Sequence, residues 1–132
     1  MGYTVGDVVA ERTVHLTRES LVRYAGASGD FNPIHYRDDV AASVGLPGVL
    51  AHGMLTMGIA SSVVVAALDP ATQILDYGVR FTKPVVVDPV DGADVKVVAT
   101  VGAVDEQVAR IDLKVTFGET TVLVKAQLRV AV

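Results

Sequence analysis

The C-terminal part of the chain alternates between apolar and polar residues in three successive segments. A period of two residues is typical of β-strands with one buried face, and the intervening sequences VDEQ and FGET are typical of turns between antiparallel strands. Two further strands are predicted at residues 8–16 and 73–81. The residues predicted to face the core are Val95, Val97, Ala99, Val101 and Ala103 in the first segment, Ala109, Ile111, Leu113, Val115 and Phe117 in the second, and Val122, Val124, Ala126, Leu128 and Val130 in the third.

The apolar face of such a sheet requires a cover, and residues 54–68 (MLTMGIASSVVVAAL) are the segment suited to it. They include no charged residue, and a helix that is apolar all round is typically buried. The segment is longer than an ordinary strand, and the Asp-Pro pair that comes after it is a helix stop. We therefore predict a central buried helix.

Two shorter helices are predicted upstream. The sequence TRESLVRYAG indicates a helix with Thr17 as its N-cap and Gly26 at its end, and Asp38 or Asp39 is expected to cap a second helix that runs to Val44. Together these elements predict an α+β fold, with one central apolar helix against a long, curved antiparallel sheet. A length of 132 residues suits one hydrophobic core, so residues 1–132 are expected to form a single domain.

The composition narrows the classes of function. The formal net charge is −4 and no basic cluster is visible, which argues against a nucleic-acid partner because phosphate binding relies on clustered Lys and Arg. The absence of cysteine excludes disulfides, thiolate zinc sites and cysteine nucleophiles, and it favours a cytoplasmic location. The longest uncharged run, residues 40–68, is interrupted by glycine, proline and histidine, so no membrane span is expected.

The heptapeptide GDFNPIH, residues 29–35, admits two interpretations. As a turn, Gly29 closes a helix, Pro33 keeps Asn32 extended, and Asp30 caps the next segment of the chain. As a reaction centre, Asp30 and His35 fold back so that both side chains reach one water molecule. Histidine has the unperturbed pKa best suited to proton transfer near neutral pH, and a carboxylate can orient it or share the role of base. From these residues alone, the turn is the favoured interpretation.

The octapeptide AHGMLTMG, residues 51–58, also has two interpretations. His52 and Gly53 either simply begin the buried helix, or they present its first backbone N–H groups to an anion. Those N–H groups have no partner within the helix and lie at the positive end of its dipole, and a glycine lets an anionic oxygen approach closely. Combined with an Asp/His pair, such a donor completes a water activator and an oxyanion binder.

The remaining candidates are interpreted as structural. Ser61 lies in the apolar helix, where its hydroxyl is expected to bond a carbonyl about one turn back. His15 lies in a predicted strand without an evident partner, and Phe81 and Val85 of VRFTKPVVV are expected to pack in the core rather than line a pocket. The motifs of a nucleophile elbow, a zinc protease, a P-loop and a dinucleotide-binding loop are absent, so nucleotide chemistry and hydride transfer have no support.

The motif YAGASGDFNPIHY followed by AHGMLTMG resembles the MaoC-like, (R)-specific enoyl-thioester hydratase/dehydratase family, whose fold is the hotdog. The likeness extends from VGDVV near the N-terminus through VRFTKPVVVDP to the last strand, so it covers nearly the whole chain. Within the family, the sequence looks most similar to the catalytic B subunits of actinobacterial (3R)-hydroxyacyl-acyl-carrier-protein dehydratases. The two motifs together, in this order, are a specific signal.

This resemblance implies a hydro-lyase of fatty-acid metabolism that adds water to trans-2-enoyl thioesters or removes it from (3R)-hydroxyacyl thioesters, carried by coenzyme A or acyl carrier protein. The implied catalytic pair is Asp30 and His35, and the implied oxyanion donor is the backbone N–H of Gly53. Asn32 is expected to hold the loop, and Ser61 aligns with a serine that lies near it in some members. The resemblance implies no cofactor or metal. It implies a dimer, formed with a second copy or a related hotdog subunit.

One departure from the family pattern is Arg37, which stands where an acidic residue is common and leaves the capping of the next helix open. Two other functions remain as alternatives. Hotdog thioesterases commonly place a carboxylate on the central helix, and residues 54–68 have none. A non-catalytic acyl-binding subunit would not require both Asp30 and His35.

Overall fold

The computed structural model describes residues 2–132. Five antiparallel strands form one sheet in the order β1-β3-β4-β5-β2, with three α-helices and a short 3₁₀-helix before the second strand. The strands are β1 Val8–Leu16, β2 Ile74–Phe81, β3 Ala93–Val104, β4 Val108–Phe117 and β5 Thr120–Ala131; the helices are α1 Arg18–Ser28, α2 Asp38–Ser43 and α3 Gly53–Ala67; the 3₁₀-helix is Pro33–His35. The predicted α+β architecture is confirmed.

The sheet buries one face against α3, as the alternation predicts. In the pairing of β3 with β4, Val97 lies opposite Val115 and Ala99 opposite Leu113, and all four side chains are buried. Burying an aliphatic side chain of this size contributes about 1.5–3 kcal/mol. The same core includes three residues of α3: Ala60, Val63 and Val64.

Strand β5 departs from the predicted alternation at one position. Val124 was expected to face the core, but it is half-buried, and Leu123 is buried instead. Lys125 adopts a φ of 49°, and the register against β4 shifts between Leu113 and Val115. An extra residue in one strand is a β-bulge, which bends the strand and increases its twist. The bulge therefore explains the wrong prediction at Val124 and contributes to the curvature of the sheet.

Helix α1 begins where the sequence predicts and ends later. Thr17 is its N-cap, and the Thr17 hydroxyl accepts a hydrogen bond from the Ser20 backbone N–H at 3.3 Å. The predicted end at Gly26 is wrong, because the helix continues to Ser28. It closes at Gly29, as the turn interpretation of GDFNPIH predicts, and Gly29 adopts a φ of 76°. Glycine enters this left-handed region without steric cost. The cap at Gly29 fixes where the chain leaves α1 and enters the GDFNPIH loop.

Helix α2 is not capped by either predicted aspartate. Its N-cap is Arg37, which makes no side-chain capping bond, and Asp38 and Asp39 lie in the first turn. Both carboxylates pair with arginines: Asp38 with Arg18 at 2.8 Å, and Asp39 with Arg37 at 2.6 Å. The hydrogen bond from Arg18 lowers the pKa of Asp38, and the one from Arg37 lowers the pKa of Asp39. Arg37 is therefore engaged with its own helix.

Helix α3 begins one residue earlier than predicted and is not buried all round. Its sheet-facing side is buried, but Met54 is 59% exposed and Val65 is 46% exposed. The sheet of one chain covers one side of this helix, which accounts for the difference. No helix within residues 2–132 is long and apolar enough to cross a membrane.

Replacing Gly29 by alanine is expected to lower the free energy of unfolding by about 1–2 kcal/mol, the cost of an L-residue in the left-handed region. A Cβ at Gly29 would meet no atom within 4 Å, so the effect would come from the backbone alone. The matched control is Gly26→Ala, which lies inside α1, also has open space, and is expected to raise stability by about 0.5–1 kcal/mol. Urea unfolding of both variants measures the difference. Effects of the same sign would contradict the cap at Gly29.

Candidate active site

The loop after α1 is folded back by its own side chains. The Asp30 backbone N–H donates to the Ser28 hydroxyl at 3.1 Å, and the Asn32 N–H donates to Asp30 Oδ1 at 3.1 Å. The Ile34 N–H in turn donates to Asn32 Oδ1 at 3.3 Å, which caps the 3₁₀-helix. Two successive turns of this kind reverse the chain between Asp30 and His35. The turn interpretation of GDFNPIH therefore holds, except that the cap of the next segment is Asn32 and not Asp30. This turn brings the side chains of Asp30 and His35 together.

His35 is buried, and one of its ring nitrogens is bound to the backbone. Nδ1 lies 2.7 Å from the carbonyl oxygen of Leu50, and the Leu50 N–H donates to the Ile34 carbonyl at 3.1 Å. A carbonyl oxygen can only accept, so Nδ1 carries the proton and Nε2 has a free lone pair. Nε2 lies 3.9 Å from Asp30 Oδ2. This separation is too long for a direct hydrogen bond but suits a small molecule that donates to both atoms.

A second histidine lies directly against the first. The rings of His35 and His52 stack with their centroids 3.8 Å apart and an interplanar angle of 18°. His52 is 1% exposed, its Nε2 lies 3.1 Å from the Asp30 carbonyl oxygen, and Tyr24 packs edge-on against its ring. Burial lowers the pKa of His52, because it disfavours the charged ring, although the hydrogen bond to Asp30 acts in the opposite direction. From the sequence, His52 is interpreted only as a residue at the start of the buried helix, and its contacts with His35 and the Asp30 carbonyl are not predicted. Its position directly before Gly53 is the signal that would have found them.

An apolar cleft of about 310 Å³ adjoins His35. Its walls include Gly53, Phe81, Lys83 and Val85. Gly53 is the first residue of α3, so its N–H has no partner within the helix, and it has no other acceptor among residues 2–132. The Gly53 backbone also passes close to Phe81, since a Cβ on Gly53 would lie 3.0 Å from that ring.

Phe81 and Val85 of the VRFTKPVVV segment were both expected to pack in the core, and only Val85 does so. Val85 is buried as expected, although it also lines the cleft. Phe81 is 54% exposed, so the prediction that it packs in the core is wrong. Phe81 ends β2, which is an edge strand of the sheet, and no strand within residues 2–132 covers it on the outer side.

Two of the five residues predicted for the site, His35 and Gly53, line this cleft, and two others, Asp30 and Asn32, lie on the loop that leads to His35. Ser61 does not join them: its hydroxyl donates to the Gly58 carbonyl of its own helix at 3.0 Å.

His15 and a second cavity both lie apart from the candidate site. His15 Nδ1 lies 2.7 Å from Asp94 Oδ1, between exposed side chains of β1 and β3, so the expectation that it has no partner is wrong. A larger cavity of about 350 Å³, whose walls include Tyr3, Asp7 and Leu68, contains none of the residues predicted for the site. The chemistry-bearing residues of the two motifs therefore converge on one place.

The cluster of Asp30, His35 and His52 has the composition of a metal site but not the arrangement. Its donor atoms lie within 4.8 Å of one another. The two imidazole planes are nearly parallel, so their in-plane lone pairs run side by side instead of converging on one ion. One nitrogen of each ring is also bound to a backbone carbonyl. The arrangement suits two proton acceptors, Asp30 and His35, facing one small polar molecule.

Comparison with known proteins gives a match over almost the whole chain. The family described as "MaoC like domain" matches residues 3–123. Over 79 residues the chain is 37% identical to "3-hydroxyacyl-thioester dehydratase X" of Mycobacterium tuberculosis, which covers 60% of this chain and 27% of that protein. The chain thus spans about a quarter of the length of this curated relative.

Solved structures of similar proteins have the same fold. One described as a MaoC-like dehydratase superposes with a TM-score of 0.89 at 31% identity, over 97% of this chain and 40% of that chain. R-hydratase PhaJ1 from Pseudomonas aeruginosa superposes with a TM-score of 0.82 at 29% identity, over 97% of this chain and 80% of that chain. These likenesses confirm the predicted hotdog fold, an antiparallel sheet wrapped around a central helix.

The predicted similarity to one particular dehydratase subunit is a separate question. The C-terminally truncated HadBC (3R-hydroxyacyl-ACP dehydratase) complex of Mycobacterium tuberculosis superposes with a TM-score of 0.73 at 16% identity, over 97% of this chain and 96% of that chain. A likeness at this level of identity shows the shared fold alone. The similarity to the B subunit therefore stays a prediction from the two motifs.

Proposed function

Since this chain belongs to the family of MaoC-like dehydratases, we propose that it catalyses the reversible addition of water to a trans-2-enoyl thioester, which is also the loss of water from the (3R)-hydroxyacyl thioester. One observation carries the proposal. Asp30 Oδ2 and His35 Nε2 lie 3.9 Å apart, and His35 lines an apolar cleft together with Gly53, whose backbone N–H has no acceptor among residues 2–132. Two proton acceptors and one oxyanion donor are the parts that this reaction requires.

The states of the two acceptors suit a water molecule held between them. His35 keeps its Nδ1 proton on the Leu50 carbonyl, so Nε2 can only accept. The Asp30 side chain is 51% exposed, and its carboxylate oxygens are acceptors. A water molecule has two hydrogens on one oxygen, so a single water can donate one hydrogen bond to each acceptor.

The proposed hydration uses each of these groups in turn. Asp30 and His35 hold the water and take its proton while the oxygen forms a bond to the β-carbon of the enoyl thioester. The electrons of the double bond move towards the thioester carbonyl, and the Gly53 N–H stabilises the negative charge that develops on that oxygen. The proton reaches the α-carbon, and the thioester carbonyl is restored. In dehydration the same groups return a proton to the leaving hydroxyl.

The cleft favours an acyl thioester as the substrate. Its apolar side chains, Phe81 and Val85 among them, suit an acyl chain, and Lys83 is an exposed cation on the same wall. Lys83 forms no ion pair with any residue in the range 2–132, so it is free to meet a phosphate. Coenzyme A and acyl carrier protein both present their acyl group on a phosphorylated arm, and both are proposed as carriers. Similarity to the B subunits of acyl-carrier-protein dehydratases, which rests on the two motifs, favours the second.

Asp30→Asn and His35→Ala are each expected to lower the rate of hydration about 10²–10⁴-fold, the usual effect of losing a general acid or base. The measurement is the loss of enoyl-thioester absorbance with crotonyl-CoA and a longer enoyl-CoA, together with chiral analysis of the product. Circular dichroism of both variants should match the wild type. Release of free CoA would favour a thioesterase and would refute the proposal. A wild type that binds the enoyl thioester without hydrating it, on coenzyme A and on acyl carrier protein and also with a related hotdog subunit present, would favour a non-catalytic subunit and would refute it as well.

The role of the Gly53 N–H has its own test. Gly53→Pro removes this donor at the first helical position, where proline is tolerated, and His52 already has the extended φ of −59° and ψ of 133° that a following proline requires. Gly53→Ala is the matched control, because it adds a Cβ near Phe81 but keeps the N–H. We expect the proline variant to be slower than the alanine variant by about 10²–10³-fold in kcat. Equal rates would exclude this N–H as the oxyanion donor.

We further propose that the chain acts as a dimer, with a second copy or a related hotdog subunit joined along β2. This strand pairs with β5 on one side only, and its other edge is unpaired within residues 2–132. Ile74, Leu75 and Phe81 are 43%, 47% and 54% exposed. A free edge with exposed apolar residues is a template for pairing with another strand. Phe81 also lines the cleft, so a partner at this edge would help to enclose the substrate.

Purified wild-type chain is expected to show twice the single-chain mass of 13.8 kDa in light scattering after size-exclusion chromatography. Leu75→Asp is expected to reduce the mass to that of one chain, because it introduces a charge into an apolar interface. Val90→Asp is the control, since Val90 is 89% exposed in the turn before β3. A fully active single chain would contradict the dimer, whereas an inactive one that recovers activity with a related subunit would identify a heterodimer.

A further inference from the structure

His52 contacts both halves of the proposed reaction centre, although the proposed mechanism gives it no step. Its Nε2 lies 3.1 Å from the backbone carbonyl oxygen of Asp30, and its ring stacks on His35 with the centroids 3.8 Å apart. Its own backbone carbonyl accepts the Thr56 N–H at 3.2 Å in the first turn of α3. Gly53 is the next residue in the chain. One residue therefore connects the loop that holds the acceptors to the helix that holds the donor.

We propose that His52 is a positioning residue, which fixes the two proposed catalytic side chains relative to the oxyanion donor. The role rests on the hydratase function proposed above. Its hydrogen bond to the Asp30 carbonyl holds the start of the loop, and its ring forms the surface on which the His35 imidazole lies. Catalysis depends on such distances, because reacting groups must meet within a few tenths of an ångström of the productive geometry.

The tautomer of His52 is set by its contacts. The Asp30 carbonyl can only accept, so Nε2 carries the proton and Nδ1 has the lone pair. Nδ1 is buried and has no hydrogen-bond partner among residues 2–132. A second proton on Nδ1 would create a buried charge without a partner, which is strongly unfavourable. His52 is therefore a neutral, one-proton donor whose only ring hydrogen bond goes to the loop.

The groups around His52 allow its Nε2–H to remain a donor while His35 takes up and releases the proton in the proposed reaction. The titratable groups packed against the ring are Asp30 and His35 of the loop and Tyr24 of α1. A proton on His35 opposes a proton on His52, since like charges on stacked rings repel. The neutral ring of His52 thus supports His35 without competing for the proton that the reaction moves.

Three substitutions separate the hydrogen bond from the shape of the side chain. His52→Phe keeps a ring but loses the donor. His52→Gln supplies an amide N–H that can donate to the same carbonyl, and His52→Met has a similar length with no donor. His15→Phe is the matched control, because it makes the same change at an exposed histidine that is outside the cleft.

We expect His52→Phe and His52→Met to lower kcat about 10- to 100-fold, as misplaced catalytic groups do. KM should change less than about twofold, because the interaction would matter in the transition state and not in substrate binding. His52→Gln should recover kcat to within about threefold of the wild type, since it restores the donor. His15→Phe should leave both constants unchanged.

Ring ¹⁵N spectra test the same role without turnover. The wild type should show His52 protonated at Nε2 and not at Nδ1 at neutral pH, as its hydrogen bond to the Asp30 carbonyl requires. The His35 ring signals should move in the Phe and Met variants and stay in place in the Gln variant. Circular dichroism would reveal a change of fold in any variant. If the Phe variant does not fold, comparison of the Gln and Met variants still tests whether the hydrogen-bond donor at position 52 is required.

The outcomes distinguish a failure of the positioning role of His52 from a failure of the proposed hydratase function. A wild type that hydrates no enoyl thioester would refute the hydratase, and the positioning role would then be judged on the ¹⁵N spectra. Unchanged kcat and His35 signals in the Phe and Met variants would overturn the role. Equal losses in the Gln, Met and Phe variants would also overturn it, because the donor would then make no difference.

Discussion

The hydrogen bond between His35 Nδ1 and the Leu50 carbonyl, at 2.7 Å, holds the two sequence motifs together. Residues 49–51 are themselves fixed to the sheet side of the fold, since the Ala51 N–H donates to Val85 and the Val87 N–H donates to Val49, both at 2.9 Å. The loop that includes His35 is thus attached to the backbone segment that leads straight into α3. The same bond selects the tautomer of His35, so position and protonation state have a single cause.

Of the two proton acceptors, the imidazole is buried and the carboxylate is exposed. The His35 side chain is 10% exposed and the Asp30 side chain 51%. A neutral imidazole with one hydrogen bond can be buried at small cost, whereas an unpaired carboxylate cannot. The fold therefore buries the imidazole and leaves the carboxylate in contact with solvent. Substrate that fills the cleft would remove that solvent and strengthen the electrostatic interactions within the site.

Much of this structure could be predicted from the sequence, because its main signals are local. The strands have a period of two, and the motif residues Asp30, His35 and Gly53 lie on short segments whose turn chemistry is readable. The features that escaped prediction depend on contacts between distant segments. Nothing in the local sequence distinguishes Gly26 from Gly29 as the end of α1, or marks the bulge in β5. The contact between His52 and the Asp30 carbonyl joins residues 22 positions apart, and the sequence does not reveal that separation in space.

The apolar surface that a single chain leaves exposed borders the candidate site. Met54 of α3 and Phe81 of β2 are more than half exposed, although α3 is among the most apolar segments of the sequence. Each square ångström of such surface favours burial by about 25 cal/mol, so a second chain or an acyl chain would be stabilised there. Phe81 belongs both to the free edge of β2 and to the wall of the cleft. Association along that edge would therefore reshape the pocket, and substrate selection and subunit pairing would depend on the same strand.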